Sequence, residues 1–240
     1  MFGWKKDPSD SRDKPFGMVG MAAALPPEAS LRPFVVKVLD QLDTESCVAN
    51  AVAQAVRTAL NYRGESDPLT SRLFLYFNAR AWTGDQTVDM GTYIRTCIKG
   101  LARFGAPAEE DWPFYAEHVN NQPPWNAYRL GYDFRGLRGY YRIFDDEDVL
   151  NQIRGAIASG RPVVAGWRVD ESILDPSGGI IDVQTGDIVG GHAMAIVGYD
   201  VNGNFEIVNS WGSSWRDNGF AKCTPDFILQ GSDQWIIDPQ

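Results

Sequence analysis

Apolar residues recur along the first half of the chain with the period of a helix and along the second half with the period of a strand. From Cys47 to Asn61, Val48, Val52, Val56 and Leu60 share one stripe and Asn50, Gln54, Arg57 and Asn61 another, which predicts an amphipathic helix. Ser46 stands where an N-cap belongs, so Cys47 falls in the first helical turn. A second helix is predicted to start at Asp67-Pro68, carry Leu69, Leu73, Phe74 and Phe77, and fade near Gly84. A third runs from about Thr92 to Phe104 on Ile94, Cys97, Ile98, Leu101 and Phe104, with Gly105 as its stop. The sequence Asn-Asn-Gln-Pro-Pro-Trp, 120–125, breaks regular structure and reads as a crossover between two halves. One more helix is expected over Asp146–Ser159, started by the acidic run 145–148 and stopped by Gly160. Short β-branched or apolar runs then follow at 162–169, 193–199, 205–208 and 219–223, separated by Gly, Asn and Asp. Helices first and strands second predict an α+β protein with an antiparallel, barrel-like second half.

Composition narrows the partners more than the fold. With 44% hydrophobic and 12% aromatic residues, the 240-residue chain is too apolar for disorder. Lys and Arg number 22 against 31 Asp and Glu, a net charge of -9, which gives nucleic-acid binding no electrostatic basis. No apolar run reaches the length of a transmembrane helix, and residues 1–14 mix Lys, Arg and Asp in a way that predicts no signal peptide. Three cysteines, an odd number, do not make a disulfide scaffold. No His/Cys cluster has metal-ligand spacing, so neither metal nor cofactor is expected.

The chemistry gathers on few residues. A thiol at a helix N-terminus is ionised easily, because its thiolate meets unpaired N–H donors, and that makes Cys47 the candidate nucleophile. His192, one of two histidines, lies in Gly190-Gly191-His192-Ala193, read as a loop entering a strand, and is the candidate base. Asn209 opens Asn209-Ser-Trp-Gly-Ser-Ser-Trp215, a turn-forming amide flanked by two indoles that can orient an imidazole. Trp211 and Trp215 read equally as core or as cleft lining. Cys97 and Cys223 read as buried, reduced packing residues and His118 as a solvated loop residue, while Gly178-Gly179 and Gly190-Gly191 read as turn glycines.

These residues, in this order, resemble the papain-like cysteine peptidases, in particular a short bacterial branch, from about Leu25 to the C-terminal region. Gln41, six residues before Cys47, matches the family's oxyanion-hole glutamine; Cys47 matches its nucleophile, His192 its base and Asn209 its orienting residue. Asn209-Ser210-Trp211-Gly212 with Trp215 and Asn218-Gly219-Phe220 resembles the asparagine loop, and Gly191-His192-Ala193 with Val197-Gly198-Tyr199 the histidine strand. Gly91 resembles the glycine that binds substrate backbone. The resemblance implies a two-domain fold with a cleft between residues 25–125, helical, and residues 126–240, β-rich, behind an arm at 1–24. It implies hydrolysis of peptide bonds in peptide or protein substrates through a thioester at Cys47, with Gly91, Gly191, Ala193 and Trp215 lining the substrate. Two other readings stand beside it: an impaired peptide-binding module, and another Cys-His acyl-transfer enzyme.

His192 lies within the roughly 130–150 residues expected after the nucleophile, and Asn209 beyond them. The family's usual Cys-Gly-Ser-Cys-Trp is here Thr44-Glu45-Ser46-Cys47-Val48, without the neighbouring disulfide cysteine or the tryptophan. The long inhibitory propeptide is replaced by the short arm, whose apolar segment Met18–Leu25 is expected to lie in the cleft as a self-inhibiting plug.

Overall fold

The structure is a computed structural model and describes residues 2–17, 24–65, 69–133, 137–144 and 148–240. Its elements run, in chain order, β1 (Trp4–Lys5), β2 (Ala29–Ser30), α1 (Cys47–Tyr62), α2 (Arg72–Ala81), β3 (Thr92–Tyr93), α3 (Ile94–Phe104), α4 (Trp125–Asp133), β4 (Leu137–Ile143), α5 (Val149–Ala158), β5 (Val163–Asp170), β6 (Ile188–Tyr199), β7 (Phe205–Val208), β8 (Phe220–Cys223), α6 (Pro225–Gln230) and β9 (Ser232–Pro239). The class is α+β, as expected. The main sheet is antiparallel throughout, in the order β4-β9-β5-β6-β7-β8, with β2 paired to β6. It stays open, because no described pairing joins β4 to β8, so the barrel-like expectation becomes a curved open sheet.

Both faces of the central strands are covered. Val163, Ala165, Trp167 and Val169 of β5 join one core with Val149, Ile153 and Ile157 of α5. Val164 joins a second core with Ala193 of β6, Trp235 of β9 and the apolar faces of α1 to α3. A strand buried on both faces loses its polar alternation, which is why 163–169 reads as one apolar run. The helix α1 lies between the sheet and the other helices, and the first half of its expected polar stripe is buried with it: Asn50 is 0% exposed and Gln54 3%, while Arg57 and Asn61 are half-buried. Arg72 of α2 makes this tolerable, donating to Asn50 Oδ1 (2.8 Å) and to the Asp40 carbonyl (2.8 Å) while pairing with Glu109.

Several boundaries move. The second helix starts at Arg72 with the Ser71 hydroxyl accepting from the Phe74 N–H, and Asp67-Pro68 lies outside the described residues. Thr92 and Tyr93 form β3, not the first turn of α3, because β1 pairs with them. The break at 120–125 ends in α4, and the acidic start of the fourth helix falls largely outside the described residues, with α5 itself beginning at Val149. Gly190 and Gly191 are strand residues of β6 paired with Val169 and Arg168, so they are not in a turn. His118 stacks on Trp112 (6.1 Å, 20°) and is only partly exposed. Cys97 and Cys223 are buried free thiols, as read.

Candidate active site

The site forms where the start of α1 meets the middle of β6. The loop before α1 is stitched to the loop after β7 by backbone bonds from Gln41 N–H to the Ser210 carbonyl (2.8 Å) and from Gly212 N–H to the Leu39 carbonyl (3.0 Å). The Ser210 hydroxyl donates to Gln41 Oε1 (2.7 Å), and Gln41 Nε2 donates to the Thr44 carbonyl (2.7 Å). These contacts hold the Gln41 amide in the turn that leads into Cys47. Ser46 is the N-cap residue, its carbonyl accepting the Asn50 N–H (3.1 Å), but its side chain does not cap: Oγ bonds Thr44 Oγ1 (2.7 Å) and accepts from Asn50 Nδ2 (3.0 Å), with no bond to the helix amides. The N–H groups at the helix start are therefore not consumed by the Ser46 side chain, which suits a site for developing negative charge.

His192 sits in mid-strand, opposite Trp167 of β5. Its Nε2 meets Asn209 Oδ1 at 2.7 Å, and the same oxygen accepts the Ser210 N–H (2.7 Å). An atom that accepts from a backbone amide is the carbonyl oxygen of Asn209, so Nε2 carries the proton and Nδ1 is the basic nitrogen. Nδ1 is buried and has no protein hydrogen-bond partner. The ring is stacked on Trp211 (4.6 Å, 29°), which shields the His192–Asn209 bond from water. Trp215 stands behind Trp211 in edge contact (5.7 Å, 89°), is 4% exposed and donates its indole N–H to the Ile173 carbonyl (3.0 Å). The structure thus brings Gln41, Cys47, His192 and Asn209 into one place and puts Trp215 in the supporting core.

What covers them is the beginning of the chain. Residues 18–23 of the expected plug lie outside the described residues; the segment seen across the site is Phe2–Lys5. Thr92 N–H donates to the Gly3 carbonyl (2.8 Å), and β1 runs parallel to β3. The Phe2 ring stands edge-on to both His192 and Trp211, 6.0 Å from each. Trp4 is 8% exposed and packs in the core that contains Cys47, Val164, Ala193 and Trp235. Glycines make this approach possible. A Cβ on Gly91 would lie 2.1 Å from the Gly3 oxygen, one on Gly191 2.3 Å from the Trp4 oxygen, and one on Gly166 2.0 Å from the Trp4 indole. Gly91, Gly191 and Ala193 therefore border a peptide strand, here the protein's own. Sequence reasoning missed this strand because Phe-Gly-Trp carries no periodic signal; its only mark is a glycine between two aromatics next to the start.

Covering the site reverses the expected electrostatics. Burial pushes the Cys47 thiol up to about 11, although the backbone N–H groups of Ala193, Gly3 and Val48 oppose the shift. Burial likewise pushes His192 down to about 4 against its bond to Asn209. The expected lowering of the thiol is thus absent with the arm in place, since neither charged form has water around it, and the pair rests as thiol and neutral imidazole. Among the described residues no group of three or more His, Cys, Asp or Glu is placed to hold a metal, and no helix is long and apolar enough to cross a membrane.

The family profile described as papain family cysteine protease matches residues 26–228. The chain belongs to that family. An uncharacterized peptidase C1-like protein of Acanthamoeba polyphaga mimivirus is 31% identical over 220 residues, covering 85% of this chain and 70% of its own. The crystal structure of xylellain, a cysteine protease from Xylella fastidiosa, superposes with a TM-score of 0.89 at 28% identity, covering 100% of this chain and 96% of the other. Digestive procathepsin L 3 of Tenebrio molitor shares the fold, with a TM-score of 0.74 at 20% identity over 95% of this chain and 74% of its own. The chain is thus a papain-family cysteine peptidase, a hydrolase of peptide bonds by family.

Proposed function

We propose that the protein cleaves peptide bonds through a thioester formed on Cys47, and that its N-terminal arm holds it latent. The observation that carries the reading is His192 locked by Asn209 with its Nδ1 free to act as base, next to a thiol at a helix start and under a peptide strand. Cys47 Sγ gives its proton to His192 Nδ1 and attacks the scissile carbonyl carbon. The oxygen takes the negative charge, facing the Cys47 backbone N–H and Gln41 Nε2. The intermediate collapses with the C–N bond breaking, and His192 returns the proton to the leaving amine. Water, deprotonated by the same nitrogen, then hydrolyses the thioester and restores the thiol. Asn209 keeps the imidazole in one tautomer throughout, and Ser210 and Thr44 keep the Gln41 amide at the oxyanion position. Gly91, Gly191 and Ala193 receive the substrate backbone once the arm is out.

Latency follows from the same geometry. While Phe2–Trp4 cover the pair, the thiol is un-ionised and substrate has no access. Displacing the arm rehydrates both groups, and a Cys-His pair at a helix start then takes the thiol to roughly 3–4, as thiolate and imidazolium. The test is hydrolysis of a peptide-coumarin substrate by the full chain beside its Cys47→Ala variant. Activity is expected in the first and none in the second; a clean Cys47→Ala preparation that still cleaves overturns the mechanism.

A further inference from the structure

The arm is fastened outside the cleft by charges buried under residues 7–13. Asp7, 5% exposed, donates its backbone N–H to Asp233 Oδ2 of β9 (2.6 Å). Its own carboxylate accepts from Trp235 Nε1 (2.9 Å) and from the Arg95 backbone N–H of α3 (3.3 Å). Among the described residues no guanidinium donates a hydrogen bond to it, although the Arg95 charge is near enough to act on it. The Arg95 side chain is spent on Asp13, through Nε (2.9 Å) and Nη2 (2.5 Å), and on the Pro8 carbonyl (2.6 Å). Arg142 of β4 is divided between Asp13 (3.0 Å) and Asp233 (2.8 Å). The other charges nearby lie at the rim: Lys6 is exposed and faces Asp233, and Asp10 pairs with Arg12 and Lys99. The buried cluster therefore sets three carboxyl groups, Asp7, Asp13 and Asp233, against two guanidiniums. Two guanidiniums can match two of the three carboxylates; the third, Asp7, has only neutral hydrogen-bond donors, with Asp233 beside it.

A buried cluster one negative charge out of balance is neutralised by one proton. We propose that Asp7 is the arm's proton latch: the seated arm keeps a proton on Asp7, and losing it as pH rises loosens the arm from the cleft. The inference rests on the reading of the arm as an occluding segment and adds what regulates it. Burial first, and then Asp233, raise the Asp7 carboxyl from its ordinary 3.8 to about 6, and burial pushes Asp233 the same way. The sign follows from proton linkage. The seated arm binds the proton more tightly than the free arm, so seating is favoured below about 4 and the advantage is lost as pH rises through about 6. The Cys47–His192 pair does not obscure this window, because it holds one proton in either state, on sulfur when covered and on imidazole when open.

Hydrogen exchange on the full chain, read by mass spectrometry at pH 4.5 and 7.5 and corrected for intrinsic rates, tests the latch. The reporting amides are Asp7, Phe16, which donates to the Arg142 carbonyl, and Thr92, which donates to Gly3. Their protection is expected to fall about thirtyfold between the two pH values, and Asp7→Asn, which keeps the shape without the charge, is expected to hold level protection at both. Level protection in the wild type, or an Asp7→Asn chain that loosens as much as the wild type, overturns the latch. The wild-type profile decides even if the variant does not fold. Amides unprotected at both pH values would instead overturn the occluding arm, with the latch falling alongside it.

Discussion

Removing the Trp4 ring should open the site without touching it. The indole is 8% exposed and lies in the core with Val164, Ala193 and Trp235, close enough to β5 that a Cβ on Gly166 would sit 2.0 Å from it. Burying an aromatic of roughly 200 Å² at about 25 cal/mol/Å² sets an upper value of about 5 kcal/mol, and truncating a buried Trp to Ala costs about 3–5 kcal/mol. Most of that loss falls on the seated arm, because Trp4 belongs to a two-residue strand whose backbone pairing is confined to Thr92 and Tyr93 of β3. At 1.4 kcal/mol per factor of ten, Trp4→Ala raises the open fraction by about 10²–10³. The assay is alkylation of the full chain by iodoacetamide with peptide mapping. Cys47 is expected to label 10²–10³ times faster in the variant, while Cys97 and Cys223, both in the interior, stay unlabelled in both chains. A folded Trp4→Ala chain whose Cys47 labels within threefold of the wild type refutes the reasoning, since the ring would then not be what keeps the site shut.

Other expectations follow from single contacts. Gly166→Ala attacks the same seat from the sheet side and should speed Cys47 labelling in the same direction as Trp4→Ala; unchanged labelling would count against the packing described. Ultraviolet titration of thiolate should show Cys47 un-ionised in the full chain until the pH nears 11 and ionised at neutral pH in Trp4→Ala, because a raised thiol value keeps the neutral form as pH rises through 9. Ser210→Ala removes the hydroxyl that fixes Gln41 Oε1 and should lower kcat about two- to tenfold with KM little changed, measured on a peptide-coumarin substrate. Ile153→Ala, in the α5 core at 0% exposure, should cost about 2–5 kcal/mol of stability by denaturant titration and leave the labelling rate of Cys47 alone.

Three of the four residues at the centre of the site were legible from local features, namely a helix whose first turn carries a cysteine, a histidine entering an apolar run and an asparagine followed by Ser-Trp-Gly, while Gln41 was legible only through the family resemblance, by its place six residues before Cys47. The cores were legible for the same reason, since the stripe of α1 and the unbroken apolar run of β5 follow from burial geometry that repeats every few residues. The two long strands missed were β4 and β9, besides the two-residue β1, β2 and β3. The two long strands pair along most of their length, but their sequences mix polar with aromatic residues, so only the partner strand makes them β.

The sequence by itself determined the order of helices and strands, the family, and which thiol, imidazole and amides belong together. The tertiary structure decided the state of those groups. A helix start favours a thiolate wherever water can reach it, yet a strand from the beginning of the chain buries Cys47 and His192 and inverts both shifts. That strand is held by contacts such as Asp7 to Asp233, which are 226 residues apart and carry no mark of each other in the sequence. Burial and charge balance depend on what the folded chain brings alongside a residue, and neighbours in sequence do not fix that.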